Sequence, residues 1–142
     1  MPFVFDTDHL TILLRQGEPA SDRLLERLGD VPPDDVATTI VSFQEHVAGW
    51  LSYLNGAGGD ADVLRAYEEL DSILRRFSKM NVLPFDEAAL DRFKPIRKQC
   101  RRVGTLDLRI AAIALTTDST LLSRNLRHFR LVPGLRVEDW TT

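Results

Sequence analysis

MPFVFDTDHLTILLR, residues 1 to 15, changes its period part-way through. Met1 to Phe5 is a short apolar run with strand character, the polar triplet Asp6-Thr7-Asp8 follows, and from His9 to Arg15 the leucines Leu10, Leu13 and Leu14 recur at helical spacing. The order is strand, carboxylates, helix. Two acids between an apolar strand and an amphipathic helix place charge at the end of a sheet strand, where open α/β sheets bind their ligands.

The same alternation continues along the chain. Pro19 to Leu28 reads as a second short helix, "GDVPPDD" (29–35) as loop, and Val36 to Ile40 as a β-branched strand. Ser42 to Asn55 places Phe43, Val47, Trp50, Leu51 and Leu54 on one helical stripe, and "NGAGGD" ends it. From Asp60 to Lys79 a further stripe runs through Val63, Tyr67, Leu70, Leu74 and Phe77, with Arg75, Arg76 and Lys79 at the negative end of the helix dipole. A strand at Val82 and Leu83 leads to a helix capped by Asp86 and kinked at Pro95. Then come the helix "GTLDLRIAAIAL" (104–115), a strand at Thr120 to Ser123, a Pro133-Gly134 turn and a last strand near Val137. Strands alternating with helices imply right-handed crossovers, hence an α/β fold of three layers, α/β/α, around a mostly parallel central sheet.

Composition bounds the function. At 142 residues and 44% hydrophobic content the chain suits one domain, spanning residues 1–142, with a core of its own. No apolar run approaches the roughly 18 residues of a membrane span, and the start lacks a signal-peptide pattern, so a soluble, cytoplasmic protein is expected. Cys100 is the single cysteine, which excludes an internal disulfide. A formal net charge of −3 argues against a globally basic nucleic-acid coat.

Asp6 follows the first strand, and Asn125 lies two residues past the strand at Thr120 to Ser123. Glu45 and Asp107 fall in the opening turns of their helices, where the dipole favours anions. Four distant segments thus bring three carboxylates and an amide to one sheet edge. Carboxylates without neighbouring Cys or paired His suit a hard cation such as Mg²⁺ or Mn²⁺. Ala111 and Ala114, four and seven residues after Asp107, would leave space beside it.

Each position has a plainer role open to it. Asp107 can rest on the helix dipole alone with Thr105 as N-cap, and Asp8 can cap the first helix. "SFQE" (42–45) has the form of a capping box in which Glu45 satisfies a backbone N–H, the role that local sequence favours. Asn125 can shape a turn, and Trp50 suits core packing better than base stacking.

Other chemistries lack their residues. His9, His46 and His128 show no zinc-binding spacing, and there is neither a G-x-S-x-G elbow nor a phosphate-binding G-x-x-x-x-G-K-[ST] loop. "FDTD" has the D-x-D form of an aspartate-nucleophile phosphatase, but Leu10 replaces the usual Thr or Val and no later acid pair accompanies a Lys in order.

The segments "FVFDTDHL", "VSFQEHVAGWL", "GTLDLRIAAIAL" and "LLSRNLRHFRLVPGLRVEDW" together resemble the PIN-domain ribonucleases, above all the VapC-type toxins of bacterial toxin–antitoxin pairs. The resemblance runs through essentially the whole chain. It implies a PIN-like sheet, an acidic group holding Mg²⁺ or Mn²⁺, hydrolysis of RNA (in several members tRNA), a cognate antitoxin and a homodimer. Residue by residue, Asp6, Glu45 and Asp107 match the family's acids, and this match assigns Glu45 to the site despite its capping pattern. Asn125 falls where relatives place an acid or an amide, and as a neutral group it lowers the charge of the site. A PIN-like module retained only for protein binding is the alternative, with Asn125 as its sign.

RNA needs positive charge as well. Lys94, Arg97, Lys98, Arg101 and Arg102 form a basic run without an acid, leaving −8 on the remainder of the chain. The spacing of the first four puts them on one helical face, as a phosphate contact or as a solvated surface. Arg124, Arg127, His128 and Arg130 form a second basic set beside Asn125.

Overall fold

Strands buried on both faces of a parallel sheet carry apolar residues without alternation, and Phe3–Phe5 and Thr120–Leu122 do so. The computed structural model describes residues 2–142; Met1, with which the expected first strand begins, lies outside the described residues. The strands are β1 (Phe3–Phe5), β2 (Val36–Thr39), β3 (Val82–Leu83), β4 (Thr120–Leu122) and β5 (Arg136–Glu138), in the order β3-β2-β1-β4-β5. Every pairing is parallel. The helices are α1 (Thr7–Leu13), α2 (Pro19–Leu28), α3 (Ile40–Asn55), α4 (Asp60–Ser78), α5 (Glu87–Gln99), α6 (Thr105–Thr116) and α7 (Leu126–Phe129).

Successive side chains of a strand point to opposite faces of its sheet, so neighbouring residues here feed two different cores. Val4 and Leu121 join Ile96 of α5 and Leu108, Ile110 and Ile113 of α6. Phe5 and Leu122 join Leu10 of α1, Leu24 of α2, and Ile73 and Phe77 of α4. The result is the expected α/β/α sandwich, and full burial of each such side chain contributes about 1.5–3 kcal/mol relative to exposure. Among the described residues no helix is long and apolar enough to cross a membrane.

Helix starts differ from the sequence expectation, and the reason is local. Asp6, not Asp8, caps α1: its carboxylate accepts from the Thr7 backbone N–H at 2.6 Å. Thr39, the last residue of β2, caps α3 by accepting from the Ser42 N–H at 3.1 Å, so "SFQE" is no capping box and Glu45 lies in the second turn. In both cases the strand passes into the helix without a loop. Thr105 is the first residue of α6 rather than its cap, which is Gly104.

Three further expectations are corrected. α4 buries Ala66, Ile73 and Phe77, while Tyr67 and Leu74 of the expected stripe are 58% and 62% exposed. The helix turns its small Ala66 inward, which carries the bulkier neighbours outward. α5 ends at Gln99, so Arg101 does not continue the helical face of Lys94, Arg97 and Lys98. Ala111 and Ala114 are fully buried in the α6 core and leave no space beside Asp107. Asp86 does cap α5, accepting from Ala89 N–H at 2.9 Å, and Pro95 lies inside that helix.

Chain order places the crevice. From β1 the sheet grows outward through β2 and β3 on one side and through β4 and β5 on the other, so the direction of winding reverses between β1 and β4. Connections leaving adjacent strands at such a reversal diverge and open a cleft at their carboxyl ends. Asp6 follows β1 there, its N–H bonded to Leu122 O at 2.9 Å, and Ser123 to Asn125 follow β4.

Candidate active site

Asp6 is held from both sides of the cleft. One carboxylate oxygen caps α1 and the other accepts from the Ser123 hydroxyl at 2.7 Å. The same hydroxyl lies 3.2 Å from Asp8, whose oxygens also accept from the Arg124 backbone N–H at 3.2 and 3.1 Å. Glu45 reaches in from α3 and accepts from the Thr7 hydroxyl at 2.9 Å. Asp107, the third residue of α6, accepts from the Asn125 amide at 3.3 Å, and the Asn125 carbonyl oxygen meets His128 Nδ1 at 2.9 Å.

These groups border one cavity of about 440 Å³, lined by Asp6, Asp8, Glu45, Asp107, Arg124 and Asn125 together with side chains of α1. The four residues singled out as catalytic are therefore brought together. Asp8 joins them, and sequence reasoning missed it by assigning it the cap that Asp6 makes. The available signal was the pair of acids two residues apart directly after a strand. Of the five expected RNA contacts, Arg124 borders the cavity. Arg97, Lys98, Arg101 and Arg102 are exposed but do not line it; the last three edge a separate hollow of about 400 Å³ with Cys100 and Leu131. A larger groove of about 710 Å³, lined by Ile40, Val47, Leu51, Phe85 and Phe93 among others, carries no acid.

Crowding and burial raise every acid for which a shift is resolved here. Asp6, 5% exposed, is pushed up to about 7 by burial and by the charge of Asp8, against the hydrogen bonds from Ser123 and Thr7. Burial raises Glu45, which the Thr7 hydroxyl opposes and the charges of Asp107 and Asp8 reinforce. Burial raises Asp107 too, offset by His128 and the Asn125 amide. Among the described residues no Lys or Arg ion-pairs with Asp6, Glu45 or Asp107.

A cluster of acids with raised pKa and no cationic partner favours an added cation. The donors are all oxygens, which suits a hard ion. No three of the described His, Cys, Asp or Glu side chains form a ready-made cage. The open cavity leaves room for the waters and phosphate oxygens that such an ion keeps beside one or two carboxylates.

Residues 3–135 match the family model for the PIN domain. The chain belongs to the PIN domain family. Nucleases of this family are generally metal-dependent. This PIN domain is 26% identical over 146 aligned residues to ribonuclease VapC1 of Haemophilus influenzae (strain R2866), the match covering 99% of each chain. It is 38% identical over 68 residues to the tRNA(fMet)-specific endonuclease VapC of Shigella flexneri, covering 45% of this chain and 52% of that one. The crystal structure of DNA-bound VapBC from Salmonella typhimurium shares the PIN domain's fold, with a TM-score of 0.78 at 23% identity and coverage of 99% and 98%.

Proposed function

We propose that this PIN domain is a metal-dependent endoribonuclease, the toxin of a type II toxin–antitoxin pair, which hydrolyses RNA phosphodiester bonds with an activated water. The observation that carries this reading is the convergence of Asp6, Glu45 and Asp107, from three distant segments, on one cavity at the sheet's reversal point. Full-length similarity to a ribonuclease supports it, and the partial match to a tRNA endonuclease makes tRNA the first substrate to try.

Asp6 and Asp107 would hold the Mg²⁺ or Mn²⁺, with Glu45 binding it or orienting water. Such an ion, when bound, lowers the pKa of water and offsets charge gathering on the phosphoryl oxygens. The chain's own groups set the geometry. Thr7 aims the Glu45 carboxylate, and burial raises its pKa, which makes it a stronger base toward a proton of water. Ser123 holds Asp6 and Asp8 side by side, and Asn125 donates to Asp107, leaving that carboxylate's other oxygen free to bind. Arg15 and Arg124 border the cavity and attract the phosphate. No lysine lines the cavity among the described residues, so the aspartate-nucleophile phosphatase lacks its expected cation.

A cognate antitoxin as inhibitor and a homodimer as the working form belong to the same proposal by similarity. The test is sequencing of RNA ends after brief expression of the wild type beside Asp6→Ala and Asp107→Ala, with purified protein assayed in Mg²⁺ and Mn²⁺. New ends confined to the wild type are expected. Unchanged metal-dependent cleavage by Asp107→Ala refutes the assignment.

A further inference from the structure

We propose that the hollow next to the acidic cavity is a nucleobase subsite, where the base of a nucleotide flanking the scissile phosphate stacks on the Trp50 ring with Tyr53 at its edge. The proposal rests on the ribonuclease reading above and names how the same site grips its substrate.

The hollow measures about 410 Å³ and shares Thr7, Thr11 and Glu45 with the acidic cavity, so a strand whose phosphate sits among the carboxylates extends directly into it. Its remaining wall is His46, Gly49, Trp50 and Tyr53, one face of α3 continuing from Glu45. The rings of Trp50 and Tyr53 lie 5.1 Å apart at 66°. Packing against the Phe77 core engages Trp50 only in part: it remains half-buried and lines the hollow, a role beyond the core packing its sequence context suggests. Stacking on aromatic faces is the general way proteins hold single-stranded bases, because every base has a π-face.

Two further features fit the same occupant. The Arg65 guanidinium of α4 lies 5.7 Å from the Trp50 ring centre and 5.9 Å from that of Tyr53, and the Tyr53 hydroxyl donates to Asp62 at 2.8 Å. Arg65 thus places positive charge against both rings, beside an anionic strand. Gly49 is the gap in the wall. A Cβ there would meet nothing within 4 Å, so packing does not require glycine at this helical position, where it costs about 1 kcal/mol relative to alanine.

The test is a fluorescence titration at low salt in EDTA, which keeps hydrolysis out of the measurement. Wild type, Trp50→Phe and Gly49→Leu are titrated with a short single-stranded oligoribonucleotide and with a matched abasic strand. The Trp50 signal is the difference between wild type and Trp50→Phe. Expected are quenching of that signal by the base-bearing strand alone, and about tenfold tighter binding of it than of the abasic strand. Gly49→Leu fills the hollow, so it weakens the base-bearing strand about tenfold and leaves the abasic strand and the thermal midpoint unharmed. Equal affinity for the two strands, or equal weakening of both by Gly49→Leu, overturns the subsite even in a protein that cleaves RNA. Base-dependent quenching in a protein that cleaves no RNA keeps the subsite and overturns the nuclease reading instead.

Discussion

The backbone N–H of Trp140 donates to Nε2 of His9 at 3.0 Å, and the opposite side of the ring meets Asp8 of the acidic cavity. A ring nitrogen that accepts carries no proton, so the proton of neutral His9 sits on Nδ1, which donates to Asp8 at 2.9 Å. His9 is fully buried, and through it the end of the chain steadies an acid of the site. Two amide substitutions separate its roles. His9→Gln reaches far enough to accept from Trp140 but loses the donor to Asp8: cleavage falls about tenfold with the melting point nearly kept. His9→Asn keeps the donor and orphans the Trp140 N–H, costing about 1–3 kcal/mol of stability with activity of the folded protein close to wild type. Melting curves beside cleavage rates check this. The same rate loss in both variants would sever Asp8 from His9.

Asp6→Asn is expected to stabilise the metal-free protein while removing metal binding. Burial raises the Asp6 pKa from 3.8 to about 7, so the folded state holds the proton more tightly than the unfolded chain. The stability from this acid is complete below the unfolded value and is lost as pH climbs through the folded one. At about pH 8 the wild type carries the full cost of a buried carboxylate, on the order of 4 kcal/mol, and the amide does not. Thermal melts across pH should show the variant's advantage growing from near zero in acid to a plateau above neutrality. A variant less stable than wild type throughout contradicts the sign.

Much of this was legible in the sequence, and the misses have local causes. α2 begins and ends where Pro19 at the first turn and Gly29 beyond the last predict. Asp6, Asp107 and Asn125 were visible because each follows a strand or opens a helix, positions that the sequence pattern marks. Asp8 was hidden because three consecutive polar residues can each cap α1, and only the depth of Asp6 against Ser123 decides among them. Glu45 was obscured because Thr39 is both strand end and cap, which a local pattern such as "SFQE" cannot register. α7 spans four residues, too few for periodicity to show. The double role of Trp50 depends on which helix packs against α3, and that is a tertiary fact.

Metal affinity should fall steeply in acid. An ion can bind Asp6 only after its proton leaves, so below about pH 7 the Mn²⁺ affinity drops about tenfold per pH unit from this group alone. Glu45 and Asp107 are shifted in the same direction and steepen the fall. Calorimetric titration with Mn²⁺ in two buffers of different ionisation heat measures the protons released. Affinity unchanged between about pH 5.5 and 7 would remove Asp6 from the ligand set.

Charge reversal at Arg101 and Arg102 separates RNA capture from metal binding. Both are exposed and neither lines the acidic cavity, so Mn²⁺ affinity should not change. If their hollow contacts the phosphate backbone, RNA affinity falls and its dependence on salt flattens by about one unit of slope per lost contact. A fall in affinity without a change of slope points to disturbed packing near Cys100 instead.

Asn125→Asp tests what the amide does for the site. Asn125 donates to Asp107 at 3.3 Å and is itself held by His128 at 2.9 Å. Its replacement by a carboxylate turns a stabilising donor into a like charge beside Asp107, where His128 can still donate to the new oxygen. Repulsion raises both acids, so the metal-free variant should be less stable above neutrality, on the order of 1 kcal/mol, with little difference in acid where the acids are protonated. The added negative charge should tighten Mn²⁺ binding severalfold near pH 8 and steepen its loss as pH falls. Calorimetry and melting curves give both quantities. Unchanged Mn²⁺ binding together with unchanged apo stability would show that the fourth position takes no part in the electrostatics of the cavity, and that its amide serves only to shape the turn after β4.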